Sequence, residues 1–150
     1  MINSDLNNRA FVAEKNHPVD NSQPLSEAEF NHLLALERKR SERSHKPLLL
    51  LLIDVTCLAG EINYHYDSIR LFRELSVMKR EIDLCGWYRQ GEIMAVLFAE
   101  ITDEAIARAK DVISEKLREH LFALFLPDVV CRITFTFHQF PEIYAGGEML

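Results

Sequence analysis

The chain predicts an α+β sandwich: a central mixed sheet carrying an antiparallel hairpin, flanked by helices. Three observations lead there. Residues 48–53 are unbroken in apolarity, the mark of a strand buried on both faces at the centre of a sheet. Residues 82–98 set two apolar runs around the polar turn Arg89-Gln90-Gly91-Glu92, the pattern of a hairpin. Around these strands, apolar residues recur at helical spacing in three longer segments.

Taken in order, residues 1–25 mix Asn, Ser, Asp and Pro with little apolar periodicity and read as a flexible arm. Ser26 and Glu29 form a capping box, in which each side chain satisfies the other residue's free backbone N–H. Phe30, Leu33 and Leu34 follow at helical spacing, so a helix is expected over residues 27–44. Pro47 closes it and a strand over residues 48–54 begins. Asp54 then stands at the strand's C-terminal end, where sheet proteins commonly set their chemistry. Ile69, Phe72, Leu75 and Met78 mark a second helix over residues 66–78, and the hairpin strands are expected at 82–88 and 93–98.

Thr102-Asp103-Glu104 opens a third helix, with acidic side chains at its positive end. Its buried stripe is Ile106, Ala109, Ile113, Leu117 and Leu121, and it runs to residue 122. Pro127 breaks the chain. Cys131, Ile133, Phe135 and Phe137 then alternate with Arg132, Thr134, Thr136 and His138, the period of a half-exposed strand over 133–137. Residues 142–150 read as a loose tail, which leaves 26–141 as the domain.

The composition narrows the function classes. A length of 150 residues fits one domain with its own core. A net charge of −6 gives no footprint for nucleic-acid binding. Arg38, Lys39, Arg40, Arg43 and Lys46 form a local basic cluster, most simply a solvated helix face. Cys57, Cys85 and Cys131 show no CxxC spacing, which suggests reduced thiols in a cytoplasmic protein. Each lies in or beside an apolar run, as a small core residue does. No basic-then-apolar leader opens the sequence, and its longest apolar run is too short for a bilayer. The expectation is a soluble protein without membrane contact.

Order and landmarks together resemble the diguanylate cyclase (GGDEF) domain over about residues 27–141. The family's opening helix with Glu-Arg and Arg residues is similar to Leu36-Glu-Arg-Lys-Arg-Ser-Glu-Arg43. Its hydrophobic strand ending in aspartate is similar to Leu51-Leu-Ile-Asp54-Val. Its Arg-x-x-Asp, followed six residues later by the signature turn, matches Arg80-x-x-Asp83 and Arg89. In active members, the resemblance implies, the aspartate at Asp54 helps hold two magnesium ions that polarise the attack of a ribose hydroxyl on an α-phosphate. The motif's second carboxylate falls on Gly91, its two glycines on Arg89 and Gln90, and only Glu92 keeps its identity. In the segment that reads the substrate, Thr56 replaces a second Asp, Ala59 a Lys and Ile62 the guanine-reading Asn. One-residue shifts would make Glu92 the metal carboxylate and Asn63 the base reader. The turn glycines would still be missing.

The resemblance therefore implies a degenerate domain with no catalytic residue and no cofactor. Magnesium enters only if an active cyclase of altered motif is the right alternative, with Asp54 as the one metal candidate. Arg80 and Asp83 match the pair that binds cyclic di-GMP at the family's inhibitory site. A guanidinium grips phosphate or the guanine acceptor edge, and a carboxylate accepts guanine N–H protons. The same two residues, three apart at a helix-to-strand junction, also suit mutual pairing or backbone capping. Trp87 and Tyr88 suit either base stacking or core cover, and His120 and His138 are expected to be solvated or locally bonded. The implied role is regulatory, in bacterial signalling that controls biofilm and exopolysaccharide. It would act by sensing cyclic di-GMP or by docking a protein partner in trans, the basic helix being one docking surface; a homodimer is compatible with the family.

Overall fold

The computed structural model describes residues 23–60 and 62–141, so the expected tail and most of the expected arm lie outside the described residues. Helix α1, Glu27–Ser44, begins at the anticipated capping box: Ser26 Oγ accepts from Glu29 N, and Glu29 Oε1 accepts from Ser26 N at 2.9 Å. Strand β1, Leu48–Asp54, leads through a 3-10 turn over Thr56–Gly60 into α2, Tyr64–Met78. The hairpin strands are β2, Leu84–Arg89, and β3, Ile93–Phe98. A 3-10 turn at Asp103–Ala105 precedes α3, Ile106–Leu124; the short α4, Pro127–Val130, precedes β4, Thr134–Phe140.

The four strands run in the order β2-β3-β1-β4, and every neighbouring pair is antiparallel. The expected mixed sheet is corrected here. Each helical crossover, β1–α2–β2 and β3–α3–β4, skips over one antiparallel strand, so two interlocked split βαβ units form the sheet. The single parallel pairing among the described residues is the bridge between Leu25 and Gly86. Leu25 N donates to Cys85 O at 3.2 Å and its carbonyl accepts from Trp87 N at 2.9 Å, so the end of the expected arm is fastened along the β2 edge. Gly86 permits this approach, because a Cβ there would lie 2.6 Å from Leu25 Cβ.

β1 is buried on both faces, as its unbroken apolarity predicted. Leu49, Leu51 and Ile53 pack with Leu71, Phe72 and Leu117 beneath α2 and α3. Leu48 and Leu50 pack with Phe30 and Leu34 of α1 on the other side. Burying Phe30 completely stabilises the fold by about 2–3 kcal/mol relative to leaving it in water.

Several local expectations shift. α2 starts two residues earlier than its stripe suggested, and Pro127 opens a helical turn as well as ending a helix, since its fixed φ suits the first helical position. The first hairpin strand starts at Leu84, because residues 80–83 are held in a side-chain-capped turn. Arg89 is both the last residue of that strand and the first of the expected turn, its carbonyl accepting from Glu92 N. Of the cysteines expected in the core, Cys85 is buried, Cys57 half-buried and Cys131 exposed beside the α4 turn. Burial pushes the Cys85 thiol up to about 12. Trp87 joins the α2–α3 side of the core and Tyr88 packs against the α1 side, as alternating hairpin residues do.

Candidate functional site

The chemistry-bearing residues gather at two places, one at each end of β3. The first is the hairpin turn. The register sets Asp54 opposite Ile93, so its carboxylate stands beside the turn that ends at Glu92. Thr56 engages it: the hydroxyl donates to Oδ1 at 2.6 Å and the backbone N–H donates to the same oxygen at 2.9 Å. Those two bonds, more than the nearby charge of Arg89, hold the Asp54 carboxyl below the usual value.

Gly91 takes a left-handed φ of 77° and lets the turn close, with Glu92 N donating to Arg89 O at 3.0 Å. Arg89 and Glu92 project into solvent as an exposed pair 3.9 Å apart. Gln90 faces α1. Its N–H donates to Glu27 Oε1 at 2.7 Å while its own Oε1 accepts from Glu27 N at 3.1 Å. The Tyr64 hydroxyl donates to the Gly91 carbonyl. Between residues 23–29, the start of α2 and this turn lies a cavity of about 440 Å³, into whose wall Ser68 is buried with its hydroxyl unpartnered. Ile62 is fully exposed and does not line it, nor does Asn63.

A magnesium ion needs several hard oxygen ligands in near-octahedral array. Among the described residues, no three His, Cys, Asp or Glu side chains gather in a way that could hold a metal. Asp54 is bonded to Thr56 and Glu92 paired with Arg89.

The second place is the junction after α2. Asp83 both pairs with Arg80 and caps backbone N–H groups, the alternative its position also suited, and its side chain is fully buried. Its Oδ2 accepts from Arg80 N at 2.8 Å and from Arg80 Nε at 3.0 Å. Its Oδ1 accepts from Arg80 Nη2 and from Ala99 N, each at 3.0 Å. Arg80 Nη2 also donates to Ala99 O. The pair thus fastens the 80–83 turn to the end of β3, while the Arg80 side chain stays about half exposed.

Arg80 stands at the edge of a groove of about 510 Å³ between this junction and α3. Met78, Phe98, Ile101, Ala109 and Ile113 give it an apolar lining; Arg108 and Lys116 bring two further cations. Sequence reasoning missed both. Eight residues apart, they share one face of a helix, and that spacing was the available signal. His120 is locally bonded, its Nδ1 lying 2.6 Å from Glu74 Oε2 across α2 and α3, and His138 lies exposed beside Thr136.

Compared by sequence, the chain matches no protein-family profile and no curated protein. Compared by structure, it is similar to a DGC protein from Thermotoga maritima, with a TM-score of 0.62 and 15% identity over 86% of this chain and 91% of that one. It is similar also to the coiled coil and GGDEF domain of DgcB from Caulobacter crescentus in complex with c-di-GMP. There the TM-score is 0.59 at 10% identity, covering 91% of this chain and 75% of that one. The diguanylate cyclase SiaD from Pseudomonas aeruginosa, in complex with its activator SiaC, gives a TM-score of 0.59 at 18% identity, over 92% of this chain and 54% of that one. The chain has the GGDEF-domain fold. No helix among the described residues is long and apolar enough to cross a membrane.

Proposed function

We propose that this chain is a cytoplasmic regulatory domain that binds cyclic di-GMP in the groove beside Arg80 and Asp83 and does not synthesise it. One observation carries the reading. In a chain of net charge −6, three cations, Arg80, Arg108 and Lys116, border a single groove with an apolar lining. Phosphodiesters are held by such guanidinium and ammonium donors, and flat bases by the apolar lining between them. The GGDEF-fold protein DgcB is itself known in complex with c-di-GMP, which supports this choice of ligand.

The turn argues against turnover. Arg89 and Gln90 replace the glycines of the resembling motif, and Asp54 and Glu92 each bond to a neighbour. A ligand-controlled domain needs an output. Here that is a protein partner in trans, for which the exposed Arg38, Lys39 and Arg43 of α1 offer a basic face; SiaD, of the same fold, is known with an activator protein. Calorimetric titration with cyclic di-GMP, repeated on Arg80→Ala, tests the proposal. Binding that the substitution weakens at least about tenfold supports it, and heat unchanged by the substitution refutes it.

The register that brings Asp54 beside Glu92 favours one rival, a cyclase of altered motif. Incubation with GTP and magnesium followed by chromatography tests it. No cyclic product is expected; turnover abolished by Asp54→Ala would establish the rival.

A further inference from the structure

The four donors on Asp83 have a consequence for ligand reading. A carboxylate offers about four lone-pair sites, and Arg80 N, Nε and Nη2 with Ala99 N fill them. The side chain is also sealed from solvent. Asp83 therefore has no acceptor left for a base. On Arg80, Nε is bonded to Asp83 and Nη2 to both Asp83 and Ala99 O, which leaves Nη1 to face a ligand.

The groove has one other acidic side chain among its lining residues, Glu100. It follows Ala99 directly and is exposed, and its ion pair with Lys46 is long, 3.5 Å, and open to water on both sides. Such a pair is weak, so the carboxylate is available to another partner. Its backbone holds a left-handed φ of 53°, which a residue with a side chain rarely adopts and which tends to mark ligand sites.

We infer that Glu100, not Asp83, is the carboxylate that selects the base in this groove, and that Asp83 is a positioning residue for Arg80. The inference rests on the reading that the groove takes a cyclic dinucleotide. Guanine presents two adjacent donors, N1–H and its amino group, which a carboxylate accepts side by side. Adenine presents an acceptor at N1, which a carboxylate repels. Arg80, Arg108 and Lys116 meet the phosphates, which are common to both ligands.

The test measures affinities for cyclic di-GMP and cyclic di-AMP by calorimetry on the full chain, on Glu100→Gln, Glu100→Gly and Asp83→Asn. The unsubstituted chain should prefer the guanine ligand, and both Glu100 variants should lower that preference roughly tenfold to a hundredfold, with cyclic di-AMP affinity raised rather than lowered as the repelling carboxylate is removed. Glycine accepts a φ of 53° without strain, so Glu100→Gly keeps the fold while removing the carboxylate. Asp83→Asn should weaken both ligands together and leave their ratio intact. A guanine preference that survives both Glu100 variants, or that Asp83→Asn abolishes, overturns the assignment. If the unsubstituted chain binds neither ligand, the reading beneath it falls, and this assignment with it.

Discussion

At the hairpin turn, Asp54 and Glu92 spend their carboxylates on residues close in sequence, Thr56 and Arg89, and remain exposed. At the other end of β3, Asp83 is buried, gathers four donors from two separate segments, and presents Arg80 to a groove bordered by two more cations. The two places hold similar residue types. They differ in convergence. A carboxylate bonded to its sequence neighbour contributes to one turn, whereas one that joins two segments sets the shape of a surface.

The largest expected effect is at the buried carboxylate. Asp83→Ala strips partners from Arg80 N–H and Ala99 N–H and should cost about 3 kcal/mol in urea unfolding, where Glu92→Ala should cost less than about 0.5 kcal/mol. Equal costs would erase the contrast. Next comes the edge that steadies the turn. Gly86→Ala forces a Cβ to within 2.6–2.9 Å of Leu25 atoms and should cost about 1–3 kcal/mol, with groove affinity unchanged in the folded protein. Gly91→Ala places a side chain at a φ of 77°, 3.1 Å from the Tyr64 hydroxyl, and should cost about 1–2 kcal/mol by thermal unfolding.

The smallest effect is a titration. Asp54 has a lowered folded value, so its contribution is present above the ordinary 3.8 and is lost as pH falls through the lower folded value. Thr56→Val removes the larger of the two bonds, and carboxyl-carbon NMR should show Asp54 titrating closer to 3.8. An unmoved titration would assign the shift to the Thr56 backbone N–H, with Arg89 behind it.

Much of the scaffold was legible because it depends on local pattern. The capping box at Ser26, the apolar run of β1 and the alternation in β4 each announce an element through neighbouring residues. The all-antiparallel order was not legible, because it depends on which strand inserts between two others. Asp83's burial escaped for a related reason. Its fourth donor, Ala99 N, lies sixteen residues away, and nothing around Asp83 in sequence points there. The groove's cations were visible only as residues on a helix; that α3 turns Arg108 and Lys116 toward Arg80 is a matter of packing. Leu25 was assigned to a loose arm because its partner, the edge of β2, exists only after the hairpin forms.

The most direct test follows backbone amide shifts while cyclic di-GMP is added, first alone and then with magnesium. Shifts concentrated at Arg80, Ala99, Glu100 and Arg108, indifferent to the metal, are the predicted result. Shifts concentrated at Asp54, Gly91 and Glu92 that require magnesium would contradict it and return the chemistry to the turn.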